Sequence, residues 1–166
     1  MALLLPPPLT LLDRYYGPQF HGLYSTTVRV IGGEARHGRA SGIARSDDGY
    51  LAADLRLPHA LGGPGGGTNP EQLFAASYAA CFHGALSLIA AKNDISICGA
   101  VVDVSVTFGR DPVDGMYMLA ADIKIQLPGI DQALAEELVR NAERVCPYAK
   151  MARQGIASTV ALSRDG

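Results

Sequence analysis

The chain has 166 residues, of which 48% are hydrophobic and 18% are charged, and its formal net charge is −2. This length and composition predict one globular domain with a sizeable core. The slightly acidic balance argues against a nucleic-acid-binding surface, and three cysteines without a CxxC pair argue against a disulfide framework or a structural zinc site.

The first 22 residues differ from the rest of the chain. Leucines at positions 3–5 run directly into prolines at 6–8, and no basic region precedes them as it would in a signal peptide. We expect an N-terminal arm over residues 1–22 that is extended or disordered, or that packs on a partner subunit. The remaining residues, 23–166, are expected to form a single domain.

Three β-strands are predicted before the first helix, over residues 23–31, 39–46 and 50–57. Thr and Val are frequent in the first strand, and an Asp-Asp-Gly turn at 47–49 joins the other two, which predicts an antiparallel meander. Residues 58–67 then hold five glycines and two prolines, which excludes regular structure there. Because no Gly-Lys-Ser/Thr follows, we interpret this loop as a pocket wall and not as a phosphate-binding loop.

A long helix is predicted over residues 70–92. The Asn69 side chain is suited to cap its free amides, Pro70 suits the first helical position, and Glu71 lies near the positive helix end. Apolar and small residues then recur at helical spacing as far as Ile89, which places Cys81 on a mostly apolar helix.

The second half of the chain predicts two strands, a helix and a final strand. Apolar and polar residues alternate over 101–108, Asp114-Gly115 predicts a hairpin turn, and a return strand covers 116–127. Asp131 should cap a second helix, which Pro147 disturbs directly after Cys146. We therefore expect the Cys146 thiol at a kink or helix end, presented rather than packed. With a last strand over 157–162, the order of elements predicts an α+β domain with antiparallel sheet.

Cys81 is the candidate nucleophile, although cysteine is also a common residue of apolar cores. A thiol reacts as its thiolate, and a guanidinium held by a carboxylate favours that anion. Glu71 offers the carboxylate and Cys146 a second thiol. Cys98, in the loop before a strand, is interpreted as structural. His83 lies two positions from Cys81 and points to another side of the helix, so a cysteine–histidine hydrolase is unsupported.

Three motifs carry a family resemblance. They are Leu-Gly-Gly-Pro-Gly-Gly at 61–66, Thr-Asn-Pro-Glu-Gln-Leu-Phe-Ala-Ala with Tyr-Ala-Ala-Cys-Phe at 68–76 and 78–82, and Val-Cys-Pro-Tyr at 145–148. From about residue 23 to residue 162 the sequence resembles the organic hydroperoxide resistance branch of the OsmC/Ohr superfamily. The Gln-Leu-Phe and Cys-Pro-Tyr variants favour this branch over its osmotically inducible sibling.

The resemblance implies an α+β fold with antiparallel sheets wrapped around a long central helix, in an intertwined homodimer. It implies a cytoplasmic thiol peroxidase for organic hydroperoxides, with Cys81 peroxidatic, Cys146 resolving and Glu71 holding an activating arginine. No bound cofactor, metal, membrane or nucleic acid is expected, and the implied reductant is a dihydrolipoyl group on a partner protein. The motif Arg-x-Gly-Arg selects Arg36, while the inserted Glu34-Ala35 keeps Arg39 as an alternative.

Aromatic residues close to Cys81 in sequence predict an apolar substrate pocket, and the candidates are Phe74, Tyr78 and Phe82. Glu71 and Cys81 are ten residues apart, which on one straight helix is about 15 Å. Either the helix breaks near Ser77, or Glu71 serves the Cys81 of another subunit, and the uninterrupted apolar run favours the second. The rival functions are a cysteine-dependent acyl hydrolase, which would need a histidine base, and a non-catalytic ligand-binding dimer.

Overall fold

The computed structural model describes residues 8–34 and 40–163 and confirms an α+β architecture. Short 3-10 turns lie at Leu9–Leu12 and His59–Leu61, the second of them inside the loop predicted to have no regular structure. The strands and helices, in chain order, are β1 (Val28–Ile31), β2 (Ser41–Ser46), β3 (Ala52–Arg56), α1 (Pro70–Lys92), β4 (Val101–Arg110), β5 (Tyr117–Gln126), α2 (Gln132–Val145) and α3 (Pro147–Gln154).

The described residues group into two compact units. The first unit contains residues 8–13, 78–103 and 123–163, and the second contains residues 14–34, 40–77 and 104–122. Both cysteines of the candidate site belong to the first unit, whereas Glu71 belongs to the second. The division into an arm and a single domain at residue 23 stays a prediction.

The predicted antiparallel meander is confirmed in the second unit. The strands lie in the order β1-β2-β3, with Val28 opposite Ser46 and Ser41 opposite Arg56. The first strand is shorter than predicted. The Asp47 carboxylate accepts hydrogen bonds from the Thr26 hydroxyl at 2.8 Å and from the Thr27 amide at 3.3 Å. These contacts belong to the turn, so the ladder begins only after them.

The α1 helix has the predicted bounds, and its start is fixed by the predicted cap. Asn69 Oδ1 accepts the backbone N–H of Gln72 at 2.9 Å. By length and hydropathy alone, this helix would be apolar enough to span a membrane, and a third of its most apolar stretch is buried in the chain. Its buried side chains include Tyr78, Phe82 and Leu86, so we interpret it as the central helix of a globular fold.

The second sheet is the hairpin of β4 and β5. Along β4 the predicted alternation is confirmed, since exposed and half-buried residues alternate from Val101 to Phe108. Asp131 caps α2 by accepting the amides of Ala133 and Leu134 at 3.1 and 3.4 Å. The helix ends at Val145, as expected from the proline that follows.

The end of the chain departs from the sequence-based prediction in two places. Residues 147–154 form α3, which was not predicted, and residues 157–162 form no strand. A strand needs a hydrogen-bonded neighbour, and within residues 8–34 and 40–163 this segment has none. Its apolar side chains are consequently exposed, with Val160 at 101% and Leu162 at 87%.

Candidate active site

Two of the three cysteines meet in the first unit. The Cys146 thiol donates to Cys81 Sγ at 3.5 Å, although the two residues are 65 positions apart in sequence. Both are free thiols. Since a disulfide joins its sulfurs at about 2.05 Å, a short approach of the two side chains is enough to link them.

Cys146 occupies the joint between two helices. It caps the end of α2 and the start of α3 with φ −71° and ψ 116°, its amide donates to Ala142 at 2.9 Å, and its carbonyl accepts from Lys150 at 3.1 Å. The expectation of a presented thiol is wrong, because Cys146 is fully buried at 0% exposure. The reason is α3, which begins at once with Pro147 and packs against α2.

Cys81 lies on α1 and is half-buried. Burial, followed by the hydrogen bond to Cys146 and the charge that Cys146 would carry, raises the pKa of the Cys81 thiol to about 11. A backbone hydrogen bond from Tyr148, in the first turn of α3, acts in the opposite direction on this pKa. With these neighbours alone, Cys81 is a protonated thiol at neutral pH.

Two tyrosines flank the pair of thiols. The rings of Tyr78 and Tyr148 lie 5.8 Å apart with a tilt of 35°, and Tyr78 is buried. Burial, and then the charge of Cys146, raises the pKa of Tyr78, while Arg153 lowers it. Arg153 is itself paired with Glu143 at 2.8 Å.

The structure brings together Cys81, Cys146 and Tyr78 of the predicted site residues. Phe82 is buried at 2% exposure in the core of the first unit, so its predicted contact with substrate stays a prediction. Arg36 and Arg39 lie outside the described residues.

The other two predicted site residues, Glu71 and Phe74, lie half-buried in the second unit. Glu71 is in the first turn of α1. It lines a cavity of about 290 Å³ whose other walls are apolar or aromatic, namely Pro70, Phe108, Tyr117, Met118 and Leu119. Glu71 thus contributes a carboxylate to a cavity wall that is otherwise apolar or aromatic.

Cys98 and His83 are exposed residues of the first unit. Cys98 is exposed, so it is not packed as the predicted structural cysteine would be. His83 is exposed as well. Among residues 8–34 and 40–163, no three histidine, cysteine or acidic side chains are grouped so that they could hold a metal ion.

Sequence reasoning missed α3 and the groups that it brings to the thiols. A signal for this helix was present, because Pro147 suits a first helical position and the residues from Ala149 to Gln154 are strong helix formers before Gly155. Two contacts depend on the direction of this helix, which no sequence pattern gives. They are the contact of the Tyr148 amide with Cys81 and the ion pair of Glu143 with Arg153.

Comparisons with known proteins show which family this chain resembles. The profile of the OsmC-like protein family matches residues 63–161. An "Organic hydroperoxide resistance protein-like 2" of Staphylococcus epidermidis is 42% identical over 137 residues, which cover 82% of this chain and 92% of the relative. An "Organic hydroperoxide resistance protein" of Xanthomonas axonopodis pv. citri is 43% identical over 143 residues, covering 85% and 95%.

A solved structure shows the same likeness in three dimensions. The crystal structure of an organic hydroperoxide resistance protein from Legionella pneumophila superposes with a TM-score of 0.71 at 38% identity. The matched region covers 81% of this chain and 93% of that one.

Proposed function

Because this chain belongs to the OsmC family and to its organic hydroperoxide resistance branch, we propose that it is a thiol-dependent peroxidase that reduces organic hydroperoxides to alcohols. The observation that carries the proposal is the distance of 3.5 Å between the Cys81 and Cys146 sulfurs. A peroxidase that works through a disulfide needs two thiols within reach of each other, and this site has them.

The proposed cycle has three balanced steps. The Cys81 thiol loses its proton, and its thiolate attacks the terminal oxygen of the hydroperoxide, so that the O–O bond breaks and Cys81 becomes a sulfenic acid. The departing alkoxide takes up that proton and leaves as the alcohol. The Cys146 sulfur then attacks the Cys81 sulfur, so that an S–S bond forms and the hydroxyl leaves as water with the Cys146 proton. A dithiol reduces the disulfide by exchange and is itself oxidised to a disulfide.

The first step needs a group that lowers the pKa of Cys81 from about 11. We propose that this group is Arg36, with Arg39 as the alternative, held in place by the carboxylate of Glu71. A guanidinium near a thiol favours the thiolate by direct charge attraction. Burial of the thiol makes such an attraction stronger, since water screens it less.

We further propose that the active form is a homodimer. Apolar side chains are exposed on β1, where Val28, Val30 and Ile31 are 45%, 55% and 56% exposed, and at the start of β5, where Tyr117 is 57% exposed. Exposed apolar patches of this kind mark interaction surfaces. A second copy would also offer a neighbouring strand to residues 157–162.

In such a dimer, Glu71 would act on the Cys81 of the other subunit. The α1 helix is continuous over 23 residues, so Glu71 and Cys81 of one subunit are about 15 Å apart along it. One arginine side chain therefore cannot contact both of them in the same subunit. The apolar cavity beside Glu71 would then form one wall of the partner's active site and hold the alkyl group of the substrate.

A purified heterodimer tests this sharing. Glu71→Ala and Cys81→Ser homodimers should each be nearly inactive. Combined in one dimer, they rebuild one complete site if Glu71 acts on the other subunit, so we expect about half of the wild-type activity. A correctly folded heterodimer without activity would contradict sharing.

We propose a dihydrolipoyl group on a partner protein as the reductant and the cytoplasm as the location, following the resemblance. The free state of all three cysteines is compatible with a reducing compartment. Turnover with dihydrolipoamide faster than with reduced glutathione would support the assignment. Equal rates with both reductants would speak against a dedicated dihydrolipoyl partner.

Peroxide turnover with a dithiol tests the proposed function and its substrate class. We expect higher catalytic efficiency with cumene hydroperoxide than with hydrogen peroxide, because an apolar wall gains about 0.8 kcal/mol per buried methylene. Coupled consumption of the dithiol measures both rates. Equal efficiencies would contradict the apolar pocket, and no turnover of any hydroperoxide would contradict the function.

The acyl-hydrolase alternative finds no support in the described site. The neighbour of the Cys81 sulfur is a thiol, whereas an acyl hydrolase needs a histidine base. His83, the histidine next along the helix, is exposed. Hydrolysis of a p-nitrophenyl ester that requires Cys81 but not Cys146 would revive this alternative.

A further inference from the structure

An ion pair connects the two helices that meet at Cys146. Arg153, in the last turn of α3, donates to Glu143, in the last turn of α2, over 2.8 Å. Cys146 lies between them in sequence, and its extended backbone is the joint of the two helices. The ion pair therefore bridges this joint and favours the observed direction in which α3 leaves α2.

The same pair lies beside α1. Burial raises the pKa of Tyr78, and of the surrounding charges Arg153 lowers it while Glu143 raises it, so both charged groups lie near this tyrosine. Tyr78 is three residues before Cys81 on α1, which places the two on neighbouring positions of one helix face. Its ring also packs on Tyr148 of α3. All three helices thus converge beside the thiols.

We propose that the pair of Glu143 and Arg153 is a positioning device that holds Cys146 Sγ against Cys81 Sγ. Both residues act through α2 and α3, the two helices that flank Cys146, and are therefore positioning residues. The step they promote is condensation: the Cys81 sulfenic acid and the Cys146 thiol form an S–S bond, the S–O bond breaks, and water leaves with the thiol proton. The effect on peroxide turnover rests on the proposed function. The effect on how readily Cys81 and Cys146 form a disulfide does not depend on it.

Removing the ion pair should have a moderate effect on disulfide formation, because the pair is only partly shielded from water. The side chains of Arg153 and Glu143 are 47% and 53% exposed. Exposed ion pairs of this kind shift an equilibrium by roughly two- to fivefold. A small change in the angle of α3 nevertheless acts directly on the separation of the two sulfurs.

The test uses the full-length protein and two measurements. The first is the equilibrium between the reduced protein and oxidised dithiothreitol, which reports how readily Cys81 and Cys146 form a disulfide without any peroxide. The second is a single turnover with cumene hydroperoxide, in which quenched samples give separate rates for sulfenic acid formation and for its condensation.

The variants are Arg153→Met, Arg153→Lys and the exchange of both charges, Glu143→Arg with Arg153→Glu. Arg144→Met, in the same last turn of α2, is the matched control.

In Arg153→Met we expect disulfide formation to weaken and condensation to slow, each by roughly two- to fivefold, while the rate of sulfenic acid formation stays within about twofold. Arg153→Lys and the charge exchange should recover most of the loss, and Arg144→Met should behave as wild type. Wild-type values for Arg153→Met in both measurements would overturn the proposal, as would equal slowing of both peroxide steps. If the wild-type protein forms the disulfide with dithiothreitol but never reacts with peroxide, the proposed function fails and the first measurement still decides the positioning role.

Discussion

Replacing Cys81 by serine is expected to lower the peroxidase activity by more than about 1,000-fold, because the hydroxyl of serine cannot take the place of the thiolate as nucleophile. Serine keeps the size of the side chain, so the fold of α1 should not change. Dithiol-coupled turnover of cumene hydroperoxide gives the activity. Far-UV circular dichroism shows whether the variant is folded.

Cys98→Ser is the matched control for this loss. Cys98 is exposed and lies in the loop before β4. We expect its replacement to leave the activity within about twofold of wild type. Two outcomes would contradict the choice of Cys81 as the reactive thiol. One is an active Cys81→Ser protein, and the other is a Cys98→Ser protein that is folded but inactive.

The activating arginine should have the second-largest effect and a distinctive pH dependence. Burial and the neighbouring Cys146 raise the pKa of Cys81 to about 11. The thiolate is the reactive form, and below its pKa the thiolate fraction falls tenfold with each pH unit. In Arg36→Met we therefore expect the peroxide rate at neutral pH to fall by about 100-fold or more and to rise with pH toward 11.

The wild-type rate should level off at a lower pH, since the arginine favours the anion. Stopped-flow measurement of the peroxide step between neutral pH and pH 10 gives both profiles. Arg39→Met serves as the comparison, because the inserted Glu34-Ala35 leaves the two arginines as alternatives. If Arg39→Met shows the shifted profile and Arg36→Met does not, Arg39 is the activating residue. If neither variant shifts the profile, the thiolate is stabilised in another way.

The sequence was sufficient for those features that local chemistry decides. Asn69 and Asp131 cap the helices that they were predicted to cap, because a side-chain oxygen before a helix has free amides within reach. The alternation along β4 follows from its two differently exposed faces. The motifs around them also singled out Cys81 and Cys146, whose sulfurs lie 3.5 Å apart.

What the sequence could not supply was the direction of elements that follow a turn. Pro147 was interpreted as the end of a helix, although it is also the start of the next, and this second role buries Cys146 and brings the Tyr148 amide to Cys81. The strand predicted over residues 157–162 failed for a related reason. A strand forms only beside a hydrogen-bonded neighbour, which the sequence of the segment alone does not supply.

The central claim is that Cys81 and Cys146 form one redox pair, and mass spectrometry tests it most directly. The reduced protein is treated with one equivalent of cumene hydroperoxide, digested without reduction, and searched for linked peptides. The account predicts a Cys81–Cys146 disulfide in the wild-type protein and a Cys81 sulfenic or higher oxide in Cys146→Ser. A dominant disulfide to Cys98, or an oxidised protein in which Cys81 remains a free thiol, would contradict it.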